Sequence, residues 1–393
     1  MLTRRFGRTN MNLSVLSFGA MRIPPEDEED AELNLKRAFA TLRQALDVGI
    51  NHIETARGYG LSEEIIGKAL AQGLIKRDEF YLTTKIGPRE TAAEFEEALA
   101  DSMARMGVSY VDNLDIHGIN TPELLETSTR PDGCLAAVHN AIKDGRVGHI
   151  GFSTHGSLEV ILDTIKTDLF ESVNLHYYYI NQRNRPAVLE AIARDMGVFI
   201  ISPTDKGGQL FNPPARLKEL CSPLSPIEFN QRWLLSQPEV HTLSLGAANP
   251  EEFEPHLKMA NVDGPLNSTE IEILKRLDNV MAGIGETWCN FCQECLPCPE
   301  DVAIPEVLRL RNLVKAYEMD EFGKYRYKML AHKDPETGEK AGGIGHWLPG
   351  AQGNFCTECG DCLPRCPMNL QIPTLLKEAH SLMDGEVGKR LWD

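Results

Sequence analysis

Two short cysteine runs constrain this chain more than any other feature of it. One reads "WCNFCQECLPCPEDVAIP" and sets Cys289, Cys292, Cys295 and Cys298 at intervals of three, with Pro299 next. The other reads "GNFCTECGDCLPRCPMNLQIP" and holds Cys356, Cys359, Cys362 and Cys366, its last interval one residue longer, again followed by proline. Each run leads to an Ile-Pro pair, Ile304-Pro305 and Ile372-Pro373. Disulfides do not account for this grammar. A bridge between residues three apart is sterically poor, and a chain of 393 residues with 42% hydrophobic content builds a core without staples. Zinc takes two CxxC pairs divided by a long loop rather than one compact run. Cys134 and Cys221 stand apart and read as small buried hydrophobes.

A compact loop lets three thiolates reach three irons of one cubane, and the more distant fourth cysteine can serve a second. The spacing C-x2-C-x2-C-x3-C followed by proline is the [4Fe–4S] run of bacterial ferredoxins, where the fourth cysteine ligates the other cluster. The first run lacks one residue before its last cysteine but keeps the proline and the Ile-Pro pair. Two [4Fe–4S] clusters with crossed ligation are therefore expected. One takes Cys289, Cys292, Cys295 and Cys366; the other takes Cys356, Cys359, Cys362 and Cys298. A single cluster beside a degenerate or zinc-holding first run is the alternative.

The first two-thirds of the chain follow a different rhythm. Short β-branched or aromatic runs recur near 13–18, 50–54, 80–85, 111–116, 148–152, 171–176, 197–202 and 241–245, with amphipathic helical segments between them. Gly49, Gly107, Gly145 and Gly197 stand where helices would end, and Thr91 with Glu94 has capping-box spacing. Ser62 with Glu64, and Ser268, read as further helix starts. Eight strand–helix units in about 250 residues predict a (β/α)8 TIM barrel. An open doubly wound sheet would place G-x-G-x-x-G after its first strand, and "FGAMRIPP" lacks it. The expected division is a barrel over 1–262 and a mostly helical, ferredoxin-like iron–sulfur domain over 263–393, without strands. The acidic "PEDEED" at 25–30 reads as a solvated lead-in to the first helix.

A formal net charge of −17 argues against a nucleic-acid partner and suits a chain that meets a basic protein. No apolar stretch approaches the length of a membrane span. The amino-terminal "TRRFGRTNMNLSVLSFGAM" has the paired arginines of an export signal, but its apolar part is broken by Asn12, Ser14 and Ser17. A strand or hairpin of the fold, in a cytoplasmic protein, is the reading adopted.

In such barrels, residues closing each strand face the active site. The second strand leads into "NHIETARGYGLSEE", the third ends in "YLTTKIGP" and the fourth in "VDNLDIHG". Glu54, Tyr59, Lys85 and His117 are thereby expected to converge. These segments resemble the aldo/keto reductase family, specifically its members with an iron–sulfur tail. "ETARGYGLSE" matches the family's D-T-A-x-x-Y-G-x-S-E except at its first position. "LSLGAANPEEF" is similar to the family's cofactor segment, and "RRFGRTNMNLSVLSFGAM" to its first strands, so the resemblance covers residues 1 to about 260.

The resemblance implies a nicotinamide cofactor, a small-molecule carbonyl substrate and roles for particular residues. Tyr59 would be the general acid, with Lys85 stabilising its phenolate and His117 orienting the substrate oxygen, which together would bring a phenol into a usable range. Glu54 replaces the aspartate that pairs with the lysine. Ser153, Thr154 and Asn174 would hold the carboxamide, while Ile201 stands where many members place a stacking aromatic. Gly246, Ala247 and Asn249 precede a helix start suited to a phosphate. No Arg or Lys lies between Gly246 and Lys258, so NAD and NADP both stay open. His155, His176 and Tyr177 to Tyr179 read as pocket lining or packing.

The leading expectation is an NAD(P)-dependent carbonyl/alcohol oxidoreductase whose clusters relay electrons, with or without a flavin. The alternative is an electron-transfer or redox-sensing protein, meeting a redox partner protein, whose barrel is a scaffold.

Overall fold

The structure, a computed structural model, describes residues 1–23, 31–334, 336–345 and 348–387. The acidic stretch at 25–30 lies outside the described residues.

Ten strands matter to the first unit. A hairpin pairs β1 (Thr3–Arg5) antiparallel with β2 (Asn12–Ser14). The remaining eight are β3 (Leu16–Gly19), β4 (His52–Glu54), β5 (Tyr81–Ile86), β6 (Val111–His117), β7 (Val147–Ser153), β8 (Ser172–Leu175), β9 (Gly197–Ile200) and β10 (Thr242–Leu245). They close into one parallel barrel, β10 pairing with both β9 and β3. All eight expected runs are present, and the paired arginines of the amino-terminal segment have partners within the first unit. Arg4 donates to the carbonyls of Leu235, Gln237 and Val240, and Arg5 pairs with Asp195.

Alternation sends every second strand residue into the barrel. An inner polar layer forms where Ser17 Oγ meets His52 Nδ1 and Thr242 Oγ1, both at 2.7 Å, and His52 Nε2 meets Thr83 Oγ1 at 2.8 Å. The layer above it carries Glu54, Lys85, Asp115 and Asn174. Gly151 makes room there: a Cβ would stand 2.2 Å from both Asp115 Oδ1 and Ser172 Oγ. Gly197 differs from its expected role. It opens β9 instead of ending a helix, and the Phe6 ring occupies the space its Cβ would fill.

The helix-end chemistry holds in part. Thr91 and Glu94 form a capping box, and Gly107 caps that helix at φ 64°. Ser62 begins its helix without capping it, because its hydroxyl meets Thr55 Oγ1 at 2.7 Å. The cap of Ser268–Ala282 is Asn267, boxed with Glu270, rather than Ser268.

The chain forms two compact units: residues 1–207 with 230–265, and residues 208–229 with 266–393. A single cut near 262 assigns 208–229 to the first unit. The structure assigns it to the second, where Arg276 of Ser268–Ala282 donates to the Ser222 carbonyl just past the helix Ala215–Cys221. The second unit is otherwise helical, with Ile304–Tyr317, Asp320–Lys328 and Ile372–Met383. The first two read as one run in sequence but break at Glu318, whose φ of 57° ends the helix. A two-stranded ribbon, His332–Lys333 with Lys340–Ala341, interrupts the polar loop where no strand was expected. Among the described residues no helix is long and apolar enough to cross a membrane.

Buried histidines give the fold a signed pH dependence. Burial pushes His52 down to about 3 and His241 and His256 to about 4. Unfolded, each binds a proton below about pH 6.5. Stability is therefore lost as pH falls from about 6.5 towards 4, by up to about 1.4 kcal/mol per pH unit per histidine. Denaturation midpoints are expected to fall between pH 7.5 and 5, and to fall less steeply in His52→Gln. An unchanged midpoint refutes the assignment.

Candidate active site and cysteine cradles

The loop after β4 rides on β5: Thr55 N–H donates to Thr83 O at 2.8 Å and Arg57 N–H to Lys85 O at 2.9 Å. A turn from Ala56 to Tyr59 then returns the phenol towards the barrel axis. Lys85 Nζ lies 3.0 Å from Tyr59 Oη, donates to Thr55 O at 3.3 Å and contacts the Glu54 carboxylate directly. The added methylene of Glu54 thus does not prevent the ion pair. The His117 ring meets the Tyr59 ring edge-on, centroids 5.6 Å apart. The structure brings all four expected groups together from consecutive strands.

A fifth group went unrecognised in the sequence. Asp115 is buried between Asn113 Nδ2 and Asn174 Nδ2, each at 2.8 Å. Asn113, Asp115 and His117 occupy alternate positions of β6, and that polar period-2 pattern was the available signal. Burial raises the Asp115 carboxyl, against the Lys85 charge, and lowers Lys85 below the usual lysine range. The Tyr59 phenol is held above its ordinary value, chiefly by burial and then by Asp115. The expected downward tuning by Lys85 is therefore not the net result: desolvation wins, and the phenol stays protonated. That is the state a proton donor needs. Burial, then the Lys85 charge, lowers His117 to about 3, so its imidazole is neutral.

Breaking the buried pair should be costly because it strands one charge. Lys85→Met is expected to lose about 3–5 kcal/mol of stability, and Glu54→Gln in the same chain should restore much of it. Denaturation curves at pH 7 measure both.

The expected nucleotide contacts divide. Ser153 Oγ accepts Gly118 N–H at 3.1 Å and keeps its own O–H to give, and Asn174 pairs in register with Ser153. Thr154 is committed to its loop, donating to Ile119 O at 2.7 Å and accepting Gly156 N–H at 3.1 Å. Ile201 packs on the cluster of Phe6, Met11, Leu13 and Phe199. Asn249 caps the short helix Pro250–Phe253 through Glu252 N–H. Beside Gly246 stands a cation that the local sequence does not contain: Arg22 donates to Gly246 O at 2.7 Å and pairs with Glu252 at 2.6 Å. His155 Nδ1 and His176 Nε2 lie 2.5 Å apart, and His176 Nδ1 lies 2.6 Å from Tyr178 Oη, a linked row rather than separate packing residues.

In the second unit the eight clustered cysteines surround two cavities. Cys289, Cys292, Cys295 and Cys366 line one. Cys298, Cys356, Cys359 and Cys362 line another. The loops have matching backbones. Phe291 and Gln293 adopt φ of 62° and 70°, and their counterparts Glu358 and Gly360 adopt 59° and 86°. Asp301 and Asn369, each three residues past the fourth cysteine of its run, both stand at φ 53° and donate N–H to Cys298 O and Cys366 O. Non-glycine residues held there cost energy that a bound group can offset. Among the described residues no three His, Cys, Asp or Glu side chains form a single-ion site. Cys134 and Cys221 are buried, their thiols raised by burial, Cys221 to about 12.

The pattern of the aldo/keto reductase family matches residues 15–279. This chain belongs to the aldo/keto reductase family. Residues 288–372 of this reductase match a 4Fe-4S dicluster domain, a span holding all eight clustered cysteines. An uncharacterised oxidoreductase of Bacillus subtilis, YrpG, is 24% identical over 328 residues, covering 71% of this reductase and 95% of the relative. An aldo-keto reductase of a Mycobacterium species is 34% identical over 166 residues, 40% of this reductase and 52% of the relative. The structure of an aldo-keto reductase from Bacillus halodurans in its holo form superposes with a TM-score of 0.59 at 23% identity, covering 70% of this reductase and 96% of that chain. The reductase is thus an oxidoreductase of this family with an iron–sulfur dicluster domain.

Proposed function

We propose that the barrel interconverts a small carbonyl compound and its alcohol using NAD(P)H, and that the eight cysteines hold two [4Fe–4S] clusters for electron relay. The observation that carries the first part is Lys85, touching Glu54 and lying 3.0 Å from a Tyr59 hydroxyl that His117 flanks. A bound nicotinamide would supply the hydride, and cubanes one electron at a time.

This chain's own residues would then act on the substrate oxygen. Neutral His117 orients it by a hydrogen bond, and the Tyr59 O–H passes its proton to it. The resulting phenolate is stabilised by the Lys85 ammonium, whose charge Asp115 favours against burial and which pairs with Glu54. Ser153 O–H and Asn174 suit the carboxamide, while Gly246, Ala247 and Asn249, with Arg22 beside them, suit a phosphate; Thr154 acts by shaping its loop. The two cysteine rings support crossed ligation.

Anaerobic assays of NADH and NADPH consumption against a panel of aldehydes and ketones test this reading. Carbonyl-dependent oxidation of either nucleotide is expected. Failure of both nucleotides to bind, measured by calorimetry, would overturn it.

A further inference from the structure

Aligned end to end, the two runs read "CLPCP" and "CLPRCP", so the residue by which they differ is Arg365. The chain accommodates it in a turn, Cys366 N–H reaching Leu363 O at 3.3 Å. Its side chain leaves its own cysteine and crosses to the other run. Nε donates to Asp361 O at 2.9 Å and Nη2 to Pro297 O at 2.8 Å, a contact between residues 68 apart in sequence. Asp361 precedes Cys362 and Pro297 precedes Cys298, so the guanidinium joins the loop bearing three thiols of the second cradle to the segment bearing its fourth. Arg365 also lines that cavity.

The first cradle is held otherwise. Its lining, among the described residues, includes no Lys or Arg. Asn312 Nδ2 donates to Cys289 O at 2.9 Å, and buried Arg311 holds Thr287 just ahead while paired with Glu378. Each fastening comes from the helix Ile304–Tyr317. In the second cradle Thr357 Oγ1 meets Glu300 at 3.4 Å and Lys377 holds Glu358, but the half-exposed Arg365 at the inserted position is the side chain that ties the carbonyls beside Cys298 and Cys362 together.

We propose that Arg365 is a positioning residue for one cluster alone: it straps Cys298 against Cys356, Cys359 and Cys362, so that the cluster held there is released independently of its neighbour when the strap is cut. This rests on the two-cluster reading. A charged donor bridging two carbonyls is suited to the task because a guanidinium offers several fixed N–H groups and keeps its charge.

The test compares the full chain with Arg365→Met and Arg365→Lys, prepared anaerobically, in EDTA and iodoacetamide with peptide mass analysis over time. In Arg365→Met, alkylation of Cys298, Cys356, Cys359 and Cys362 is expected to quicken at least about tenfold, the usual cost of losing a residue that orients metal ligands. Cys289, Cys292, Cys295 and Cys366 should keep the wild-type rate. Arg365→Lys, retaining the charge but not the bridge, should fall between. Equal rates in all three chains, or all eight cysteines quickening together, overturn the strap. Buried Cys221 reports loss of the fold; if it labels early in Arg365→Met, the result with Arg365→Lys decides. Wild-type iron near four atoms per chain instead of about eight would sink the two-cluster reading itself, a different failure.

Discussion

Tyr59→Phe is expected to lower kcat for carbonyl reduction by about 10²–10⁴, the usual contribution of a positioned proton donor. The substitution removes one oxygen from a half-buried ring. The ring contact with His117 and the Lys85–Glu54 pair can both persist, so stability, iron content and nucleotide affinity should change little. That combination separates the readings of the protein. Turnover lost with clusters intact places the chemistry at the head of β4 and β5. Turnover unchanged removes Tyr59 from the reaction and leaves the electron-transfer or sensing role, with the barrel as a scaffold. The raised phenol sharpens the expectation: a tyrosine that stays protonated across the physiological range can donate, and Lys85, 3.0 Å away, stands close enough to stabilise the phenolate left behind.

Cys366→Ser and Cys298→Ser are expected to strip opposite clusters. Each should cut iron from about eight to about four atoms per chain, because a cubane normally needs all four thiolates. Under crossed ligation, Cys366→Ser exposes Cys289, Cys292 and Cys295 to alkylation although they lie some seventy residues earlier. Cys298→Ser exposes Cys356, Cys359 and Cys362. If each serine instead exposes the cysteines of its own run, ligation is not crossed, and the matching cavities have been misread.

Much of the working architecture is local information. The eight barrel strands are legible because period-2 runs report which residues a strand can bury, a property of neighbours. Tyr59, Lys85 and His117 are legible because a strand end in such a barrel points to one place. The thiol runs are legible because a cubane requires its ligands at fixed short intervals. Asp115 is harder. Its significance lies in Asn174 and Lys85, which only strand association brings beside it, and one of the two acids in "VDNLDIH" looks like any strand polar. Arg22 at Gly246 is invisible to a search of residues 246–258, because β3 and β10 become neighbours only when the barrel shuts.

The chain's order of residues by itself determined the barrel, the helical cluster domain, the proton-bearing tyrosine with its lysine, and the grouping of thiols. Tertiary structure alone decided that burial and Asp115 raise the Tyr59 phenol, that residues 208–229 join the second unit, and that Arg365 reaches Pro297. The division has one physical reason. Periodicity and spacing are set by neighbours along the chain, whereas burial, charge pairing and the partner of a long side chain depend on groups that only folding brings within reach.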